Sequence, residues 1–363
     1  MKKKFNLLII TPTYLPAYHI GGPIFQISKL SSLLNKKKIN HKILSTKKSF
    51  DKGGKKNNKT IYFNSYFGSL YFSINLIFFL IKEIKNYDKI YIVSCFNFFT
   101  LFSSIICNLF NKDYLISPRG SLMKKSIDFK SKFIKKIWIF FFEKRIISKA
   151  KKIIFSSKFE EFETKKIVTV KNSIIINNFL TILPSVATKK KLNYLLFLGR
   201  ITKKKNIEKL IYAYKKQFNF QIKILGSGEE QYINILRNII KERNLEDKIY
   251  LLPPIYKEVN KKKLFQEARF SILLSSTENF GNTILESLLC KTPVIITKNT
   301  GLSVLIKRKK LGIICENKVS SLNKVYKNIN NGFNVKINKK KHEEIKKLFN
   351  DKQTIKKYVK LFN

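Results

Sequence analysis

Short apolar runs alternate with helix-length segments along almost the whole chain, and the alternation starts twice. In the first half, strand-like runs fall at residues 7–11, 41–45, 59–63, 90–94, 114–117 and 152–156. Helical spacing fills 23–35, which opens on Pro23 as a first-turn proline does, and then 70–85, 98–110 and 131–148. The stretch 51–58 has no apolar residue and reads as a surface loop. A polar, patternless linker at 185–191 precedes the second start. Strands are then expected at 195–199, 221–225, 249–252, 270–274 and 293–297, separated by helices at 206–216, 229–243, 261–268 and 283–290. Strand–helix alternation is the pattern of a parallel sheet covered by helices, so the chain is expected to fold as two α/β domains. A length of 363 residues fits two such domains. Each predicted strand ends in a loop holding Gly, Ser, Thr or Pro, and open α/β sheets bind ligands outside those carboxyl ends.

Charge narrows the partners. The chain carries 73 Lys+Arg against 23 Asp+Glu, a net +50. A basic surface can serve nucleic acid, an anionic membrane or an acidic substrate. Nearly all of this charge is lysine, and Lys, Asn, Ile and Phe are abundant together, as an AT-rich coding sequence gives; compositional drift is the favoured reading. The arginines then become informative, because each persists where lysine is the default. No Arg-rich or aromatic-interleaved reader motif for nucleic acid occurs. The four cysteines (Cys95, Cys107, Cys290, Cys315) form no CxxC pair and read as buried thiols of a reducing compartment, the cytoplasm. The basic start followed by a short apolar run lacks a cleavage site and reads as a first strand rather than a secretory signal. The uncharged stretch 91–111 is long enough to raise a membrane span, but its scattered Ser, Asn and Thr favour a strand followed by a buried helix.

Chemistry concentrates in the second half. Residues 275–286 run from a buried strand through a polar loop into a helix beginning near Asn282. The N–H groups and dipole of such a helix start favour an anion such as a diphosphate, and Gly281 allows close approach to the backbone. Glu278 lies in the loop and Glu286 one turn into the helix, and both can accept hydrogen bonds from hydroxyls. The alternative is a dipole-complementing glutamate plus an ordinary surface one. Upstream, a strand ends at Gly199, followed by Arg200 and then Lys205 as the next helix begins. Two cations beside a strand terminus can neutralise a diphosphate. Gly226 and Gly228 form a GxG after the next strand, a weak signal alone.

Glu278 and Glu286, with seven residues between them and Phe280-Gly281 inside, resemble the E-x7-E motif of retaining glycosyltransferases of the GT-B fold, family 4. The helix and "PVI" strand that follow are also similar. The resemblance implies that Glu278 binds donor-sugar hydroxyls and that Glu286 holds the nucleotide ribose. It implies that Arg200 and Lys205, in a segment similar to the family's "GR…KG" element, hold the donor pyrophosphate. Gly226 and Gly228 match its GxG loop, with Phe280, Gly281 and Asn282 part of the donor-binding loop. Two departures stand out: Asn279 and Asn206, where the family usually has Gly. In the first half, Gly21 and Gly22 look like the Gly-Gly loop that lies against the donor phosphates. Arg119, in a "PRG" segment, resembles that of polysaccharide-type members and is an electrostatic candidate in the cleft, or else a structural turn arginine. No catalytic base is identified.

The resemblance implies two Rossmann-like domains facing a central cleft: an acceptor-side domain at 1–184 and a donor domain at 185–341. Helical spacing at 342–363 gives the expectation of a last helix packing back across the hinge. It implies retaining transfer from a nucleotide-sugar, acting as substrate rather than cofactor, to a glycan or lipid-linked glycan. The few, scattered aspartates point to a metal-independent site, in which cations and a helix N-terminus stabilise the leaving group. Aromatic and basic segments at 67–79 and 124–142 can lie against an anionic membrane, or form buried helices with solvated lysine faces. The rival reading is a basic α/β nucleic-acid-binding or carbohydrate-binding protein without catalysis.

Overall fold

A computed structural model of the chain describes residues 5–17, 21–50, 58–129, 131–180, 190–255 and 257–363. The start of the chain, most of the expected loop at 51–58 and most of the linker at 185–191 lie outside the described residues. The chain divides into two compact units, Met1–Phe179 with Asp351–Asn363, and Leu180–Asn350.

The first unit contains strands β1 (Leu7–Ile10), β2 (His41–Thr46), β3 (Thr60–Phe63), β4 (Lys89–Val93), β5 (Tyr114–Ser117), β6 (Lys152–Phe155) and β7 (Ser173–Ile175). They form one parallel sheet in the order β3-β2-β1-β4-β5-β6-β7. The second unit contains β8 (Leu192–Leu198), β9 (Gln221–Leu225), β10 (Ile249–Leu252), β11 (Ala268–Leu273), β12 (Val294–Thr297) and β13 (Gly312–Cys315). Their order is β10-β9-β8-β11-β12-β13, again all parallel. Both orders are those of the Rossmann fold.

Continuous apolar strands are required here because each sheet is covered on both faces. Along β1, Leu8 and Ile10 enter one core and Leu7 and Ile9 the other. Along β8, Leu195 and Phe197 point into one core, while Tyr194 and Leu196 point into the other. Successive side chains of a strand face opposite ways, so two buried faces demand an unbroken run.

The stretch 131–148 is not one regular helix. Helices Lys132–Trp138 and Lys144–Lys149 are joined by a π-helical turn, Ile139–Glu143, which brings Glu143 into the interior. The expected helix at 342–363 is two helices, Lys339–Leu348 and Asp351–Phe362, because Phe349 leaves helical geometry between them. The first belongs to the second unit, where His342 Nε2 donates to the Leu289 carbonyl over 2.9 Å. The second belongs to the first unit, and Lys29 pairs with Asp351 at 3.4 Å. The stretch 91–111 forms β4 and the helix Phe98–Leu109. Among the described residues no helix is long and apolar enough to cross a membrane. All four cysteines are buried free thiols.

Candidate functional site

In the second sheet β8 and β11 are neighbours whose connections leave in opposite directions, toward β9 and toward β12. That reversal opens a crevice outside their carboxyl ends. Arg200 and Lys205 follow β8, and Glu278 follows β11.

The chain keeps pairing beyond the end of β8. Gly199 N–H donates to Leu225 O over 3.0 Å and Ile201 N–H to Ser227 O over 2.8 Å. This closeness explains both glycines of the GxG loop. A Cβ on Gly226 would lie 1.7 Å from Gly199 O, and one on Gly228 would lie 2.5 Å from Ile201 O. What these two glycines admit is the neighbouring backbone. With Gly199 and Ile201 held inward, Arg200 stands exposed between them.

A 3₁₀ turn, Lys203–Lys205, then carries Lys205 back over the loop after β11. Its ammonium forms an ion pair with Glu278 Oε2 and a 3.1 Å hydrogen bond to Ser275 Oγ. Asn206 ends the turn in the left-handed conformation, φ 51 and ψ 45, which asparagine tolerates better than most residues. Its side-chain amide also donates to Leu274 O (2.6 Å) and Ser276 Oγ (3.0 Å). Asparagine thus does what glycine does at this turn and ties the two motif segments together as well. The Glu278 backbone is pinned from the far side, its N–H donating to Asn299 O and its carbonyl accepting from Gly301 N–H, each over 2.9 Å. Burial pushes the Glu278 carboxyl upward, but the Lys205 ammonium, then Lys204 and Arg200, outweigh it and hold the group below its ordinary range. Arg200 is therefore within electrostatic reach of the Lys205–Glu278 pair.

Helix Asn282–Leu289 starts behind Gly281, whose φ of +93 favours glycine; a Cβ there would also lie 2.7 Å from Ile284 Cδ1. Glycine at the cap supplies no side chain to the first-turn N–H groups headed by Asn282, so they suit an anion. The Phe280 ring is buried and meets Phe349 edge-on at 5.9 Å, so Phe280 offers a ligand its backbone rather than its ring. Glu286 is almost wholly buried and pairs with Lys261 at 3.1 Å, from helix Glu258–Glu267. Nothing in the Lys261-Lys262-Lys263 run singles out Lys261 beforehand. The four expected side chains thus resolve into Lys205–Glu278 beside Arg200, and Glu286 held by Lys261.

In the first unit Gly21, with φ 89, caps helix Gly22–Lys36, which has no acid in its first turn; residues 18–20 before it lie outside the described residues. Arg119 is engaged in packing. Its guanidinium donates to Asn178 Oδ1 (3.0 Å), Tyr91 Oη (3.1 Å) and Tyr358 Oη (3.3 Å). Burial opposes its charge, but the Tyr91 and Tyr358 phenols and the Glu160 carboxylate outweigh this and hold it more firmly protonated than usual. Tyr358 stacks on Phe179 at 5.7 Å, so Arg119 fastens the terminal helix Asp351–Phe362 to β4. Of the two roles open for Arg119, these hydrogen bonds fit the structural one.

Sequence reading also missed Glu143. It accepts from Phe96 N–H (2.6 Å) and Trp138 Nε1 (3.1 Å), bracing a loop after β4 in which Ser94 (φ 99) and Phe96 (φ 60) take strained conformations. Burial raises its carboxyl from 4.5 to about 7, against those hydrogen bonds. The folded state then holds the proton more tightly than the unfolded one, so this group's contribution to stability falls as pH rises from 4.5 to about 7. The expected loss is about 3 kcal/mol. Denaturant unfolding at pH 5 and pH 8 is expected to show Glu143→Gln gaining on the wild type at the higher pH, and a difference independent of pH would count against this.

Residues 179–347 match the family model for glycosyl transferases group 1, just under half of the chain. An N-acetylgalactosamine-N,N'-diacetylbacillosaminyl-diphospho-undecaprenol 4-alpha-N-acetylgalactosaminyltransferase of Campylobacter jejuni is 32% identical over 154 residues, covering 42% of this chain and 40% of that protein. The O-antigen chain mannosyltransferase RfbU of Salmonella typhimurium is 26% identical over 174 residues, covering 46% and 47%. The chain thus spans less than half the length of these curated relatives. Sucrose-phosphate synthase from Thermosynechococcus elongatus superposes with a TM-score of 0.77 at 17% identity, over 99% of this chain and 98% of that one. Anabaena Alr3699/HepE, solved with UDP-glucose, gives 0.75 at 14%, over 98% and 99%. At such identities the likeness is one of fold. The second unit of this chain is a domain of the glycosyl transferases group 1 family, and the chain as a whole has the GT-B fold.

Proposed function

We propose that the protein moves a sugar from a nucleotide-diphosphate sugar to a glycan or lipid-linked glycan, with retention and without a metal ion, in building a cell-surface polysaccharide at the cytoplasmic face of the membrane. The carrying observation is the Lys205–Glu278 pair, with Arg200 in electrostatic reach, at the carboxyl ends of β8 and β11. Breaking the anomeric bond leaves positive charge on the sugar and negative charge on the diphosphate. Arg200, Lys205 and the N–H groups at Gly281 and Asn282 neutralise the leaving group, and Glu278 orients the sugar hydroxyls. Glu286, held by Lys261, binds the ribose. Two of the relatives support the acceptor class by their names, one acting on a diphospho-undecaprenol glycan and one on O-antigen.

Thermal shift with UDP-, GDP-, ADP- and dTDP-sugars tests the reading: one donor is expected to raise the melting temperature, and no shift with any of them counts against it. With that donor, Arg200→Ala and Glu286→Ala are each expected to cut kcat/KM at least about tenfold, about 1.4 kcal/mol. Activity is expected to survive rigorous chelation. Loss that Mn²⁺ or Mg²⁺ restores would overturn the metal-free mechanism.

A further inference from the structure

A chain of ring contacts links the two segments that sequence reading left open to a membrane, running through rings that pack partly on the core. Rings follow one another from Phe67 to Phe72 (5.8 Å), Phe98 (5.9 Å), Trp138 (5.1 Å) and Phe142 (4.9 Å), and on through Phe141 (6.3 Å) to Phe140 (5.1 Å). At one end a tight loop, closed by Tyr66 N–H to Phe72 O (2.8 Å), holds Phe67 outward in a left-handed conformation. Phe67 is 69% exposed, and at the other end Phe133, Phe140 and Phe141 are 74%, 68% and 59% exposed. The aliphatic Leu70, Ile74, Ile134 and Ile137 are exposed in the same segments. Two clusters of exposed apolar side chains, joined by partly buried rings, mark an interaction site.

Beside Phe140 lies a cavity of about 380 Å³ lined by the ammonium-bearing Lys124, Lys132, Lys136, Lys144 and Lys166. Among the described residues Asp128 is the one carboxylate of its lining, pairing with Lys132 at 3.2 Å, and Lys166 pairs with Glu163 outside it at 2.5 Å.

We infer that this face docks on an anionic phospholipid bilayer, with a headgroup phosphate in the lysine cavity and the aromatic ribbon in the headgroup–acyl boundary. Lysine ammonium groups are drawn to anionic headgroups, and aromatic side chains settle at that depth. A second copy of this chain is disfavoured, because a like face brings lysines against lysines. Single-stranded nucleic acid stacks on aromatic rings, whereas the exposed Leu70, Ile74, Ile134 and Ile137 offer no stacking plane and gain by entering hydrocarbon. The inference rests on the acceptor side of the proposed function and names the surface that serves it.

The test is flotation with vesicles of phosphatidylcholine alone or mixed with phosphatidylglycerol, with the donor thermal shift read on the same preparations. Wild type is expected to float with the mixed vesicles and not with the neutral ones. Lys136→Glu/Lys144→Glu and Phe140→Ser/Phe141→Ser are each expected to weaken binding at least about tenfold. Their melting temperature and donor shift stay unchanged, so that loss of docking is separable from failure of the donor assignment. Undiminished flotation of the variants, equal flotation with neutral vesicles, release by inorganic pyrophosphate or by a single-stranded oligonucleotide, or self-association of the wild type lost in the variants, each overturns it.

Discussion

Lys205→Ala is expected to reduce sugar transfer about a hundredfold or more, about 2.7 kcal/mol of transition-state stabilisation. The same change is expected to destabilise the second unit. Lys205 and Glu278 are 16% and 20% exposed at their side chains, so removing the ammonium leaves a largely buried carboxylate without its counter-charge. A fully buried pair costs about 3–5 kcal/mol to break in this way, and the residual exposure brings the expectation down to about 2. Stabilisation from a carboxyl held below its ordinary range is present at neutral pH and is lost as pH falls through the folded-state value. The stability deficit of Lys205→Ala is therefore largest at neutral pH and shrinks toward acid, where protonation removes the uncompensated charge. Adding Glu278→Gln removes that charge outright, so the double variant is expected to recover much of the stability and none of the transfer. Unfolding curves and initial rates on the two single variants and the double variant give this cycle directly. Recovery of both together would mean that Lys205 serves the fold alone.

The contrast between what the sequence makes plain and what it conceals follows from the range of the interactions. Strands such as β1, β5 and β12 are legible because two buried faces force an unbroken apolar run, and their ends fall close to the expected ones. β7 and β13 lie at the sheet edges, are three and four residues long, and are mostly half-exposed, so no comparable run announces them. Glu278, Lys205 and Arg200 are legible for another reason: their positions depend on strand ends, which the pattern locates. Arg119 also follows a strand end, yet its partner Tyr358 lies 239 residues away, and no local pattern carries that distance. Glu143 is hidden by the π-helical turn, which rotates a residue from an expected solvent face into the core. Lys261 is hidden by its neighbours, since in a chain this rich in lysine only the geometry at Glu286 distinguishes it.

Gly226→Ala is expected to be the most damaging small substitution in the second unit. No unusual backbone angle is involved; the cost is steric. The added methyl would stand 1.7 Å from Gly199 O and 3.5 Å from Ile201 Cγ1, and the first of these is backbone, which cannot swing aside as a side chain does. Relief requires β8 and β9 to separate where Gly199 N–H and Ile201 N–H donate to Leu225 O and Ser227 O. Losing those hydrogen bonds and overpacking the strand ends sum to about 3 kcal/mol or more, a fall in Tm of roughly 6–12 °C. Because Arg200 is carried between those two bonds, the displacement is also expected to weaken donor binding in whatever fraction remains folded. Gly332→Ala is the control: a Cβ there meets nothing within 4 Å, so its cost is limited to the strain of φ +92, about 1–2 kcal/mol. A Gly226→Ala melting curve superposing on that of Gly332→Ala would mean that the backbones of β8 and β9 are not pressed together, and the case that the GxG loop positions Arg200 by packing would fail with it.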